Sequence, residues 1–188
     1  MTKKKFYSWS DVERMCVSIV NQMYKDNWRP DYIVGITRGG NVPATIISNM
    51  TGIRCEALKV SLRDGESGKT GDSLLWMSND ALGFEDDIET YKNRWNPAKR
   101  KKILIVDDIN DTGATFNWIK QDWMNACMPN ETDAWNSVWS GNVRFATLTD
   151  NLASNFDQCV NYCCDTINKD EDDVWLVYPW KMWENINE

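Results

Sequence analysis

The sequence predicts an α/β fold: one domain with a mainly parallel central sheet flanked by helices. Three observations carry this. Short, mainly apolar runs recur at Tyr32–Ile36, Ile103–Val106 and, interrupted by Arg144 and Thr147, Val143–Leu148, as expected of strands buried on both faces of a parallel sheet. The first two runs pass straight into turns of glycine, acid and hydroxyl residues that open helical patterns, which is the order of βα units. The length of 188 residues is that of a single domain with room for a real core.

In chain order, Ser8-Trp-Ser-Asp11 reads as a capping box, Ser8 capping a helix and Asp11 supplying the returning acid. Val12, Met15, Cys16, Ile19, Val20 and Met23 keep helical spacing, so an amphipathic helix is expected from about Asp11 to Lys25. Arg29-Pro30 ends that segment, and Tyr32–Ile36 is the first buried strand. Thr37-Arg-Gly-Gly40 follows, after which Pro43 suits the first turn of a helix and Gly52 its C′ position. Cys55–Ser61 is the next strand. Over residues 62–98 the pattern breaks down, and the polar, glycine-rich run Arg63–Asp72 reads as a long loop, either functional or disordered. A helix is expected within Phe84–Trp95.

Phe116, Ile119, Trp123 and Cys127 support a helix to about Met128. Residues 129–142 read as an inserted loop anchored by Trp135 and Trp139. Val143–Leu148 is a strand, Cys159–Cys164 another, Asp170–Asp173 a solvated turn, and Val174–Trp180 a last strand that stops at Pro179. No internal repeat and no second domain is visible.

Composition narrows the function. A formal charge of −7 argues against nucleic acid as the main partner, and the basic run Lys99–Lys102 is short and abuts a buried strand. No apolar run approaches the roughly 20 residues needed to span a bilayer. The basic start, Met1-Thr-Lys-Lys-Lys5, is not followed by an apolar signal core, so a cytoplasmic protein is expected. The six cysteines then read as reduced thiols. With no histidine in the chain, Ser-His and Cys-His nucleophiles are excluded, and a general base must be a carboxylate, a lysine or a tyrosine.

The chemistry concentrates in Lys102–Thr115. Asp107 and Asp108 stand at the carboxyl end of an apolar strand, where ligands bind in open α/β sheets. Asp111-Thr-Gly-Ala-Thr115 then forms a small, hydroxyl-rich turn at a helix N-terminus, which is an anion site. Acids able to face sugar hydroxyls or a metal therefore lie beside a phosphate cradle, and a phosphorylated sugar is the ligand this suggests. Thr37-Arg-Gly-Gly40, again where strand meets helix, is a second anion loop whose backbone can approach its ligand closely.

The stretch 103–115 resembles the phosphoribosyl-diphosphate (PRPP) signature of type I phosphoribosyltransferases, and Thr37–Gly40 lies where that family has its diphosphate loop. Val174-Trp-Leu-Val-Tyr-Pro-Trp-Lys-Met182 resembles the tail of xanthine–guanine phosphoribosyltransferases and related short purine enzymes. The resemblance implies a C-terminal hood, here residues 159–188, and transfer of the 5-phosphoribosyl group of PRPP to a nucleobase, foremost a purine, with release of diphosphate. PRPP would bind as its Mg²⁺ complex. Asp107 and Asp108 would hold the ribose hydroxyls and meet the metal indirectly. Asp111, Thr112, Gly113, Ala114 and Thr115 would grip the 5′-phosphate. Thr37, Arg38, Gly39 and Gly40 would take the diphosphate, with a non-proline cis peptide at Arg38–Gly39 or next to it. Asp111 would accept the base proton, Trp175 would stack on the purine and the Leu176 main chain would face its exocyclic edge. Residues 62–98 would supply a closing lid, with Ser61-Leu62 where the family has Ser-Tyr. Dimers are common in the family, so a homodimer or homo-oligomer is implied.

Two departures fall at the base end. Where 6-oxopurine enzymes place a lysine, this chain has Asp150 and Asn151. An amide both donates and accepts, so Asn151 is expected to face either a 6-oxo or a 6-amino group. The tail also reads Lys181 where an acid often follows Pro-Trp. A regulator of the same fold that binds PRPP or a nucleotide without turnover, or a transferase for a non-purine acceptor, stands as the alternative.

Overall fold

A computed structural model describes residues 3–62, 70–71, 75–83, 96–127 and 132–181. Among these, a six-stranded sheet runs in the order β4-β3-β2-β5-β6-β7. Its strands are β2 (Tyr32–Thr37), β3 (Cys55–Ser61), β4 (Thr70–Gly71), β5 (Ile103–Asn110), β6 (Val143–Asn151) and β7 (Tyr162–Ile167). All neighbours pair parallel except β3 with β4. A separate two-stranded parallel sheet joins β1 (Lys3–Phe6) to β8 (Val174–Val177).

The double burial of the central strands is visible residue by residue. Ile33, Leu104, Val106, Ala146 and Leu148 face a core built with α1 (Trp9–Lys25) and α2 (Asn41–Thr51). Tyr32, Val34, Ile36, Ile103, Ile105, Val143 and Phe145 face the other, built with α3 (Leu75–Leu82), α4 (Ala114–Cys127) and α5 (Thr132–Asn142). Successive strand residues point to opposite faces, so a sheet covered on both sides needs the mainly apolar runs seen in the sequence.

The first helix follows its pattern. Ser8 Oγ accepts from the Asp11 N–H at 3.1 Å, Asp11 Oδ2 accepts from the Ser8 N–H at 2.9 Å, and the six apolar residues at helical spacing are all buried. The Ser8 hydroxyl, which donates to Asp11 Oδ2 at 2.7 Å, and then the Ser8 N–H hold the Asp11 carboxyl down at about 2. At the end of α2, Gly52 takes a left-handed φ of 69°. Among the described residues, no helix is long and apolar enough to cross a membrane.

Three expectations are corrected, and one strand is new. Residues 132–142 form a helix, not a loop, because Trp135, Val138 and Trp139 recur at helical spacing and are fully buried. Lys3–Phe6 is a strand that the sequence did not announce; it adds to β8 through its backbone and leaves its side chains mostly exposed. Of the stretch 159–188 expected as a hood, β7, starting at Tyr162 and not Cys159, belongs to the main sheet, whereas β8 pairs with β1 in the separate sheet. Within 62–98 the described residues include β4, α3 and a 3-10 turn at Pro97–Lys99. The helix expected within Phe84–Trp95 and most of the glycine-rich run lie outside the described residues.

Trp139 stacks on Trp135 at 5.2 Å, meets Trp123 edge-on at 5.8 Å and donates from Nε1 to Gln158 Oε1 at 2.9 Å. Trp139→Ala should cost about 3–5 kcal/mol, the usual loss for a buried tryptophan. Trp76→Ala, at a site 41% exposed, should cost far less. Urea unfolding of the two variants measures the difference, and equal midpoints would contradict the packing described for α5.

Candidate active site

The sheet order defines where a ligand belongs. From β2 the chain moves outward to β3, then crosses to β5 on the other side and continues to β6 and β7. The topological switch point thus lies between β2 and β5, and the carboxyl ends of those strands flank a crevice. Pairing of β2 with β5 stops at Gly35 opposite Val106, while β5 stays paired with β6 as far as Asn110 opposite Asp150. Asp107 and Asp108 are therefore carried on a strand still supported along one edge, and that support continues to Asn110 just before the turn.

Thr37–Gly40 comes off β2 directly across from them. The Thr37–Arg38 peptide is cis, one bond before Arg38–Gly39. A Cβ on Gly39 would lie 2.3 Å from Asp108 Oδ2, so only a glycine lets this backbone run against the carboxylate.

Asp108 is 5% exposed and closely held. Its Oδ2 accepts from Lys181 Nζ at 2.8 Å and from Trp180 Nε1 at 3.3 Å. The Tyr178 hydroxyl donates to the Asp108 carbonyl at 3.1 Å and is bonded to Thr149 Oγ1 at 2.8 Å. Tyr178 in turn stacks between Tyr7 at 4.9 Å and Trp180 at 5.0 Å. Trp180 is thus part of an aromatic column under the acid. Beside it, Asp107 Oδ1 accepts from the Asp108 N–H at 2.8 Å. Burial, reinforced by the charge of Asp108, pushes the Asp107 carboxyl well above the usual carboxylate range.

The turn after β5 is clamped from outside. Thr112 Oγ1 accepts from the Ala114 N–H at 3.3 Å, and the Thr112 carbonyl accepts from the Asn155 N–H at 3.0 Å. Gly113 has φ 82°, and a Cβ there would sit 2.2 Å from the Phe156 backbone nitrogen. Below the turn, Asn110 Nδ2 donates to Asp150 Oδ1 at 2.8 Å and to Ser154 Oγ at 2.9 Å.

Asn151 does not stand where a base reader would. Its side chain is buried: Nδ2 donates to the Asp111 carbonyl at 2.8 Å, while Oδ1 accepts from the N–H groups of Ala153 at 3.2 Å and Lys169 at 3.1 Å. The amide ties three segments together and is absent from the cavity wall. The expectation that it faces the 6-position gives way to a structural strut.

Two adjoining cavities result. One, of about 370 Å³, is lined by Asp107, Asp108, the whole turn Asp111–Thr115, Lys169, Trp175 and Leu176, among others. The second, of about 580 Å³, is lined by Thr37, Arg38, Gly39, Lys59 and Trp180 among others. Both fall in the range typical of small-molecule sites. Of the residues expected in the site, Gly40 packs beneath it, where a Cβ would lie 2.3 Å from the Val106 carbonyl oxygen. Trp175 is 49% exposed on the cavity wall. Ser61 ends β3; the lid proper, residues 63–69, lies outside the described residues.

The sequence reading missed two cations. Lys169, after β7, pairs with Asp111 Oδ1 at 2.8 Å; Lys181, in the turn after β8, pairs with Asp108. The Pro-Trp-Lys departure marked Lys181, but nothing local marked Lys169.

Acidic residues and two helix-opening turns thus face each other across the switch point. A profile described as the phosphoribosyl transferase domain matches residues 4–179, and the chain belongs to that family. Xanthine phosphoribosyltransferase 1 of Saccharomyces cerevisiae is 27% identical over 128 residues, covering 62% of this chain and 58% of that protein. The chain thus matches less than two thirds of that relative's length. Xanthine-guanine phosphoribosyltransferase of Idiomarina loihiensis is 22% identical over 94% of this chain and 86% of its own. In fold, the chain is similar to the Helicobacter pylori xanthine-guanine-hypoxanthine phosphoribosyltransferase, with a TM-score of 0.62, 14% identity and 98% of each chain covered.

Gly113→Ala should cost on the order of 1–3 kcal/mol for the disfavoured backbone alone, and the contact with Phe156 must also be relieved by moving the turn. Wild-type stability on urea unfolding would show that the close approach of the two segments is not required.

Proposed function

We propose that this protein is a phosphoribosyltransferase that joins the 5-phosphoribosyl group of PRPP to a purine carrying a 6-oxo group, releasing diphosphate. The carrying observation is the convergence of the acid pair, the phosphate turn and the Thr37–Gly40 loop at one switch point. In this reading Asp107 and Asp108 hold the ribose hydroxyls, Asp111–Thr115 hold the 5′-phosphate, and Thr37–Gly40 hold the diphosphate. The C1–O bond of PRPP breaks with its electron pair leaving on diphosphate. A base nitrogen supplies the new C1–N bond, and its proton passes to Asp111.

Mg²⁺ suits this donor set. Asp107 and Asp108 offer hard oxygens to an ion that keeps water and substrate phosphates among its ligands. Once bound, it would neutralise diphosphate charge.

The base end favours an oxopurine. Lys169 Nζ, a donor only, lies 2.8 Å from Asp111 Oδ1, an acceptor. Adjacent donor and acceptor match a ring edge that bears a carbonyl next to an N–H. A 6-amino group would set its own hydrogens against the ammonium. Trp175 offers a flat stacking wall beside them.

The test is product detection with PRPP, Mg²⁺ and a panel of bases. Hypoxanthine, guanine or xanthine should give the 5′-nucleotide, and replacing Asp107 and Asp108 together by Asn should abolish it along with PRPP binding. Turnover of no base, with PRPP still bound, would instead support a non-catalytic binder. That second reading draws on the two lysines already paired with Asp108 and Asp111. Turnover of pyrimidines alone would overturn the purine assignment.

Lys169→Met removes a charged hydrogen bond of about 1.5–3 kcal/mol, so kcat/KM for 6-oxopurines should fall some ten- to a hundredfold. Adenine, if accepted at all, should change little. A uniform loss across both classes would place Lys169 outside base discrimination.

A further inference from the structure

Lys181 occupies a place that its ion pair alone does not explain. It sits in the short turn Pro179–Lys181, beyond β8, and its ammonium lies 2.8 Å from Asp108 Oδ2 and 5.4 Å from the centre of the Tyr178 ring. Its side chain is still 30% exposed, toward the cavities. The residues common to both cavity walls are Arg38, Leu62, Asp107, Asp108, Thr115 and Lys181.

That shared wall is where the reaction must happen. If sugar and 5′-phosphate fill the first cavity and diphosphate the second, the bond between them crosses the junction. As it breaks, negative charge grows on the departing oxygen, beside two carboxylates that oppose it. Of the two cations on the junction, Arg38 belongs to the diphosphate loop itself, while Lys181 comes from the tail that also carries Trp175 and Leu176. Once Asp108 turns to a ribose hydroxyl, the ammonium is left one side-chain swing from the leaving oxygen. A cation that meets developing charge away from bulk water is an effective source of transition-state stabilisation.

We propose that Lys181 is a catalytic residue that gives a charged hydrogen bond to the departing diphosphate oxygen. The inference rests on the phosphoribosyltransferase reading above. The electron balance is that of simple displacement. The C1–O pair leaves on diphosphate, the base lone pair forms C1–N, the base proton goes to Asp111, and Lys181 keeps its own protons throughout. The opposite possibility is a plug, in which Lys181 merely occupies Asp108 and must be expelled by PRPP.

Lys181→Met and Lys181→Arg separate the two. For the catalytic role, Lys181→Met should lower kcat roughly 10²–10³-fold, the range for one lost oxyanion donor, and weaken inorganic diphosphate binding with Mg²⁺ about tenfold. Binding of the 5′-nucleotide product, which lacks diphosphate, should stay within about twofold and so report an intact fold. Lys181→Arg should recover part of kcat. Unchanged kcat, or PRPP bound more tightly by the Met variant with kcat retained, would overturn the proposal in favour of a plug. If the wild-type protein turns over no base, the transferase reading itself fails. Calorimetry with inorganic diphosphate then still decides whether Lys181 touches that ligand.

Discussion

The parallel pairing of β2 with β5 governs the rest of the molecule. Asp31 sets it up at the base of the sheet: its N–H donates to the Lys102 carbonyl at 2.8 Å, and its Oδ2 accepts from the Lys102 N–H at 2.7 Å. From there Tyr32 lies opposite Ile103, and the register runs to Gly35 opposite Val106. Because the side-chain period of a strand is two, a slip of one residue would exchange the two buried faces. It would also move Asp107 and Asp108 relative to Gly39, which has no room to adjust against Asp108. Register in the core and geometry in the site are thus the same constraint.

Around that pairing the site carries more internal charge compensation than its acid motif implies. Lys181 answers Asp108, Lys169 answers Asp111, and Lys59 lines the second cavity with Arg38. The chain as a whole is acidic, with a formal charge of −7, yet the crevice gathers cations from four separate segments. That arrangement suits a ligand with several phosphate groups, which a net-negative surface would otherwise repel.

What the sequence revealed, and what it hid, follows the range of the interactions involved. The Ser8–Asp11 cap, the buried stripe of α1, Gly52 at the end of α2 and the turn Asp111–Thr115 are all made within a few residues, and each was readable. The strand Ile103–Asn110 was read too short because two carboxylates look like an end; they continue the strand only because β6 runs alongside. Lys3–Phe6 carries no alternation, since its pairing uses backbone alone. Lys169 sits beside an acidic turn that looks solvated, and it meets Asp111 only because β7 returns next to β6. Asn151 was misread for a related reason: besides the nearby Ala153 N–H, its partners Asp111 and Lys169 come from segments distant in the chain.

The pairing of β1 with β8 has a consequence for how the protein is made. Lys4 lies opposite Trp175 and Lys5 opposite Leu176, so this small sheet joins segments separated by nearly the whole described chain. During synthesis the acid pair and the phosphate turn leave the ribosome long before Trp175 does. Until then Lys3–Phe6 has no partner, and the Tyr7–Tyr178–Trp180 column beneath Asp108 is missing two of its three rings. Contacts of such long sequence separation form late and slowly. A nascent chain can therefore form the turn Asp111–Thr115 before the cavity gains its Trp175 wall, and that wall is braced only when the two ends meet.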